Sequence, residues 1–218
     1  DIITGSVRGR YKLQEFSKLF QNAMGSIYTN YKPFLVTKGQ EMRFEFNLYN
    51  TLVEIFYPDI QFSPNTFIRG ALQADEGVFT LDFKSPQFSI FGNQLDSVAL
   101  KVDSQNPLFN TFLAVKEAKT PYYDFKDLRL INNTLQDTLF FRTEFKGGPA
   151  NRDLFGFNFY HTFNNQKQSV LGLKKSAFDF KGASWLVNES GNKNNKVIFS
   201  QNLDSIFVSS LVLSTPQK

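Results

Sequence analysis

The sequence predicts an all-β protein built on a long antiparallel sheet with one apolar and one wet face. Three observations carry that reading. The chain holds 26 Phe in 218 residues beside 2 Met, 1 Trp, 1 His and no Cys. These phenylalanines recur on alternate residues in segment after segment, which is strand spacing, because successive strand side chains point to opposite faces. Polar residues fill the gaps, as at Glu45 and Asn47, Thr80 and Asp82, Asn158 and Asp179.

Along the chain, residues 2–9 alternate weakly and end in Gly9. Over residues 11–24 the period changes. Leu13, Phe16, Leu19, Phe20 and Ala23 recur at intervals of three and four, which predicts one short amphipathic helix closed by Gly25. Such a helix serves to plug an end or edge of the sheet. Lys12, Glu15 and Lys18 leave its polar face hardly basic, against a membrane-surface role. From Ser26 onward about 14–16 short strands are expected, with turn chemistry at Lys38-Gly39, Ser63-Pro64-Asn65, Asp75-Glu76-Gly77, Gly92-Asn93, Gly147-Gly148-Pro149 and Asn164-Asn165.

The alternation names a candidate surface. Phe44, Phe46 and Leu48 form its first set, followed by Phe79, Leu81 and Phe83, then by Phe88 and Ile90. Val98, Leu100 and Val102 continue it, with Leu113 and Val115 beyond them. Phe155, Phe157 and Phe159 complete it. All are expected to line one continuous apolar surface, and what covers that surface is the functional question.

A degenerate echo runs through the chain. Leu95-Asp96-Ser97-Val98 resembles Leu135-Gln136-Asp137-Thr138-Leu139 and Leu203-Asp204-Ser205-Ile206, with Asp127-Leu128-Arg129-Leu130 a looser copy. Each pairs a turn-favouring acid with the start of a strand. The echo suggests a stacked, quasi-one-dimensional sheet, and no low-complexity linker divides residues 1–218 into separate domains.

Composition narrows the function classes. The net charge is +4. The only basic clusters, Lys174-Lys175 and Lys193 to Lys196, sit beside turn residues and carry no nucleic-acid motif, so no nucleic-acid partner is expected. Without cysteine there is no disulfide, thiolate metal site or thiol catalysis. No stretch approaches the roughly 18 consecutive apolar residues of a spanning helix. The chain opens Asp1-Ile2-Ile3-Thr4 in mid-pattern, without initiator Met or signal peptide, and reads as an internal piece of a longer protein.

Catalytic machinery is not legible. The one histidine, His161, shares the parity of the strand phenylalanines and reads as a strand-end residue. No Gly-x-Ser-x-Gly elbow or Gly-rich phosphate loop occurs, and Asp75-Glu76 reads as a pair of turn acids. A non-enzyme with no cofactor and no metal is the expectation.

Gly70-Ala71-Leu72-Gln73-Ala74-Asp75-Glu76-Gly77-Val78-Phe79-Thr80-Leu81-Asp82-Phe83 resembles the β-rich repeats of the TamB and AsmA-like family. Asp137-Thr138-Leu139-Phe140-Phe141-Arg142-Thr143-Glu144-Phe145-Lys146-Gly147-Gly148 looks like TamB-type proteins of the Bacteroidota, as do Phe159-Tyr160-His161-Thr162 and Gly172-Leu173-Lys174-Lys175-Ser176. The likeness runs from about Thr4 to Ser214. It implies an elongated, curved, U-shaped or taco-like sheet whose concave face is hydrophobic. It further implies a periplasmic bridge anchored in the inner membrane, carrying phospholipid or other acyl lipid toward the outer membrane to support its biogenesis. The implied partner is an outer-membrane barrel of the BamA superfamily, engaged through a C-terminal region that this chain lacks. The words Asp96-Ser97-Val98, Asp137-Thr138-Leu139 and Asp204-Ser205-Ile206 resemble an O-glycosylation acceptor of exported Bacteroidota proteins, with Ser97, Thr138 and Ser205 as acceptors. They read equally as turn and strand-start pairs.

Two other readings fit the alternation. In a closed β-sandwich with a structural or adhesive role, two Phe faces pack together and nothing is carried. In a lipocalin-like barrel one ligand is enclosed, although the expected strand number is too large.

Overall fold

The computed structural model describes residues 3–25, 32–48, 59–200 and 205–216. Its first elements are strand β1 (Ile3–Arg10), helix α1 (Phe16–Gly25) and strands β2 (Glu41–Leu48), β3 (Ile60–Phe62) and β4 (Thr66–Gln73). Long strands follow: β5 (Val78–Ile90), β6 (Asn93–Asp103), β7 (Thr111–Lys119), β8 (Phe125–Leu135), β9 (Thr138–Gly147) and β10 (Asp153–Phe163). Shorter ones end the chain: β11 (Ser169–Leu173), β12 (Ser176–Phe180), β13 (Ala183–Val187), β14 (Lys196–Phe199), β15 (Ile206–Val208) and β16 (Leu213–Ser214).

All sixteen strands of the described residues belong to one antiparallel sheet, curved and unclosed. From β4 to β11 its order follows the sequence, the meander that short turns impose. The accessible surface is 14176 Å² for a chain of 25.0 kDa. A compact monomer of that mass exposes roughly 10,000 Å². The excess is what a sheet shows that has no second covering layer among the described residues.

The sheet forks twice. The first half of β5 pairs with β4 and its last residues pair with β3. Pro86 sits where the partner changes, so its missing N–H costs no ladder bond there. Ser63 bridges the gap: its Oγ accepts the Gln87 N–H at 2.9 Å, and its own N–H donates to the Gln87 carbonyl at 3.0 Å. Likewise β10 pairs with β12 through residues 154–156 and with β11 through residues 159–163. Here the Asn158 N–H donates to Ser176 Oγ at 2.8 Å and its carbonyl accepts the Lys174 N–H at 2.8 Å.

Sequence alternation read Phe79–Phe83 and Phe88–Ile90 as two separate sets, but β5 is one strand. Strict parity would put Phe88 on the opposite face from Phe83. Instead their rings meet edge to face at 6.2 Å. The reason is a line of irregular residues crossing the sheet. Pro86, Ser97, Lys116 and Asp127 all drop out of the ladder at one level, and Ser97 and Asp127 have positive φ (51° and 53°). A register shift between Lys126 and Arg129 absorbs the change on β8, so that β9 continues regularly. Two of the echoed words, at Ser97 and Asp127, therefore mark a mid-strand irregularity instead of a strand start. Asp137 does occupy the β8–β9 turn, with Thr138 the first residue of β9, and Leu203 and Asp204 lie outside the described residues.

The helix begins later than expected. Leu13–Glu15 form a 3-10 turn and α1 runs from Phe16 to Gly25. Glu15 ties it to the loop ahead of β2, accepting hydrogen bonds from the Thr37 N–H (2.8 Å), the Thr37 hydroxyl (2.9 Å) and Gln40 Nε2 (2.6 Å). These donors hold its carboxyl below the usual range. Leu19 and Ala23 of α1 bury against Met42, Phe44, Leu72, Phe79 and Val102, while Phe20 meets Phe79 edge to face at 5.9 Å. Among the described residues the helix thus covers one margin of the apolar face. Phe79 is fully buried there, so Phe79→Ala should cost about 3–5 kcal/mol of stability. Phe157, half-buried on an uncovered strand, should cost roughly half as much when truncated. Urea denaturation of the two variants checks where the core lies.

Candidate functional site

Antiparallel register carries each side chain to a partner on the same face. One row can be followed residue by residue. Gly5 pairs with Phe46, Phe46 with Ile68, Ile68 with Phe83 and Phe83 with Leu100. Leu100 then pairs with Leu113, Leu113 with Leu130, Leu130 with Thr143 and Thr143 with Phe157. At about 4.8 Å per strand this row of nine strands is roughly 38 Å long. A single hydroxyl, that of Thr143, interrupts its apolar chemistry.

The remaining candidate residues flank this row on the same face. Phe44, Leu81, Val102 and Phe159 belong to a parallel row on one side, where Thr111 and Asn132 break the apolar run. Leu48 shares the parity of Phe46 on β2, and Phe79 lies under α1. On the other side Val98 and Val115 pack with Ala118, and Phe88 stacks on Phe62 at 5.0 Å beside Ile90. Phe155 joins an aromatic line that alternation alone did not single out. It runs Phe125–Phe145–Phe155–Phe178–Trp185 with centroids 5.6, 4.5, 6.0 and 6.2 Å apart. Each such contact adds about 0.5–1.5 kcal/mol beyond burial. Phe145 was missed because Lys146 and Gly147 blur the alternation after it; Trp185 was missed because one aromatic residue shows no period.

A polar latch closes one end of the aromatic line. Tyr123 lies over Gly147, where a Cβ would stand 2.4 Å from its ring, and meets Phe155 edge-on at 6.0 Å. Its hydroxyl donates to the buried Asp153 at 2.8 Å, and the same carboxylate accepts the Lys181 N–H at 2.8 Å. Desolvation, followed by the Asp153 carboxylate, pushes the Tyr123 phenol up to about 12.

The opposite face carries a ladder of charge over four strands, which passes into Phe112 and Ile131 on β7 and β8. Glu45, Arg69, Asp82 and Lys101 oppose one another across β2, β4, β5 and β6, with Arg69 and Asp82 paired at 2.7 Å. Recesses of the described surface open on this face. One of about 670 Å³ lies between Arg43, Arg69, Asp82 and Lys101, and one of about 940 Å³ lies at the fork of β10.

The other singled-out residues are scattered. His161 shares a hydrogen bond of 2.7 Å with Ser169 Oγ, and burial lowers its pKa. Asp75 accepts the Gly39 N–H at 2.9 Å, the tie of a turn acid between two loops. Ser97 is exposed, while Val98 after it is buried. Thr138 is half-buried and donates to Thr162 Oγ1 at 3.4 Å, ahead of buried Leu139. Ser205 is exposed, and so is Ile206 after it. Among the described residues no group of three His, Cys, Asp or Glu could hold a metal ion, and no helix is long and apolar enough to cross a membrane.

No protein-family profile, curated protein or solved structure matches this chain.

The latch makes a titration prediction. The Tyr123 pKa is raised in the folded state, so its stabilising effect is complete below the ordinary tyrosine value near 10 and is lost as pH rises toward about 12. Ultraviolet titration should show one late tyrosine, absent in Tyr123→Phe and moved earlier in Asp153→Asn.

Proposed function

We propose that this chain is a segment of a lipid-conducting β-sheet, along whose apolar face the acyl chains of phospholipid move. Its resemblance to the TamB and AsmA-like family supplies the setting: a periplasmic bridge held by the inner membrane and working with an outer-membrane barrel. The observation that carries the reading is the continuous row from Gly5 to Phe157, on a face where α1 packs over one margin among the described residues. The bilayer's hydrocarbon core is about 30 Å thick, so one leaflet's acyl chain is roughly 15 Å long. The row exceeds that length, and a chain could shift along it while keeping the same kind of contact throughout.

Magnitude favours sliding over capture. Full burial of a methylene is worth about 0.8 kcal/mol. A chain lying on an open face buries only one side of itself, which reduces the gain and keeps neighbouring positions close in energy. Branched and aromatic side chains ask for no hydrogen bonds from the lipid. The tail lies along the row and needs no deep pocket.

Adjacent residues of β8 provide the test. Leu130 belongs to the row, whereas Arg129 faces the charged ladder opposite Glu144. Leu130→Asp places a carboxylate where acyl chains pass, at a desolvation cost of several kcal/mol. It should reduce retention of a fluorescent phospholipid at least tenfold, with the circular dichroism of the folded sheet kept. Arg129→Asp should retain lipid as the parent does. Equal retention by a folded Leu130→Asp protein, or no retention by the parent, would overturn the proposal.

A further inference from the structure

We propose that the recess at the fork of β10 binds the phosphate of a phosphorylated polyol, a function separate from the acyl-chain face on the other side of the sheet. Charge sets this recess apart. Lys174, Lys175, Lys193 and Arg142 line its 940 Å³, and no carboxylate does. In the other large recess of the polar face carboxylates stand among the cations, Arg69 with Asp82 and Lys101 with Asp103. Arg142 is paired with Glu144 of the adjoining recess, but among the described residues the three lysines make no ion pair. Uncompensated ammonium groups around a concave volume focus a positive field on whatever enters it.

The walls are tied in place. Asn158 Nδ2 donates to the Lys175 carbonyl at 3.0 Å, fixing the turn that carries both lysines. Asn188 Nδ2 donates to the carbonyls of Leu173 (2.8 Å) and Asn192 (3.1 Å), which joins the 188–193 loop to the end of β11. Lys174 Nζ stands 4.6 Å from the Phe140 ring centroid, a position that holds the ammonium over the recess. Tyr160, beside Phe140 at 6.5 Å, lies flat on Gly172, where a Cβ would come within 2.1 Å of its ring. Only glycine leaves room for the ring there.

The lining chemistry selects the ligand class. Three ammonium groups suit a phosphate dianion. The carboxamide of Asn133, which makes no hydrogen bond among the described residues, can both donate and accept, as hydroxyl groups require. The volume lies at the upper end of small-ligand sites, roughly 300–1,000 Å³, enough for a phosphate together with its polyol. A lipid headgroup and a soluble polyol phosphate share this chemistry.

Calorimetry on the full chain tests the site with glycerol 3-phosphate, inorganic phosphate and glycerol as probes. The expected result is saturable binding of glycerol 3-phosphate, competition by inorganic phosphate and no binding of glycerol. Lys174→Gln/Lys193→Gln should weaken binding at least tenfold, whereas Lys116→Gln/Lys119→Gln, away from the recess, should not. Co-sedimentation with phosphatidylglycerol vesicles, lost in the same double variant, identifies a lipid headgroup as the source; binding of glycerol 3-phosphate without sedimentation identifies a soluble one. If the double variant does not fold, amide shifts of the parent protein decide, and they should concentrate at Tyr160, Gly172 and Lys174. No saturable binding, equal weakening in both variant pairs, or shifts spread over the whole surface would overturn the site. Neither result bears on lipid retention in Leu130→Asp, so the two proposals fail separately.

Discussion

Cross-strand register is the constraint on which the rest of this structure depends. Side chains on a strand repeat every two residues, so a slip of one residue turns a whole apolar set to the wrong face. Here the pairing must hold from β1 to β10 for Phe46, Leu100, Leu130 and Phe157 to share a surface. The irregular line through Pro86, Ser97, Lys116 and Asp127 is the place where parity changes on neighbouring strands at once. Because the strands change together, Phe88, Leu95 and Phe125 stay beside Phe83 and Leu128 around the Val98–Val115 cluster. Without the break at Pro86, strict parity would have sent Phe88 to the charged face.

The two faces then acquire different physics from one backbone. On one, rings pack against rings, and α1 adds a buried core only around Met42, Leu72 and Phe79. On the other, charges alternate across strands and recesses open. The forks at Pro86 and Asn158 widen the sheet without closing it, because each lets one long strand serve two partners. Side-chain hydroxyls do the joining. Ser63 bridges the first fork and Ser176 the second, while the buried Thr66 and Ser85 hydroxyls meet at 2.6 Å beside Pro86. A short hydroxyl can satisfy the backbone groups that a departing strand leaves behind.

Much of this was legible in the residues. Alternation identified the strands, because period two is a direct print of the pleat, and the three-four spacing of Leu19 and Ala23 located the helix. Less was legible where tertiary context decides. Ser85-Pro86-Gln87 looks like a break between strands; whether it is a turn or a fork depends on Ser63 and β3, far away in sequence. The echo through Asp96-Ser97 and Asp127 signalled a local conformation without saying that the two residues stand at one level of the sheet, on either side of Lys116. The cationic recess was invisible as a unit. Lys174-Lys175 and Lys193 read as separate turn lysines, and only the pairing of β10, β11 and β14 brings them around Phe140 and Tyr160.

The central claim is that the face carrying Phe46, Leu113 and Phe157 is the one an acyl chain contacts. The most direct measurement is photolabelling with a phospholipid bearing a diazirine on its acyl tail, followed by residue-level mass spectrometry. Neighbours on one strand report opposite faces, so each strand supplies its own control. The account predicts adducts on Phe46, Leu113, Leu130 and Phe157, with few on Glu45, Ala114, Arg129 and Asn158. Adducts divided evenly between the two sets, or confined to the charged face, would contradict it.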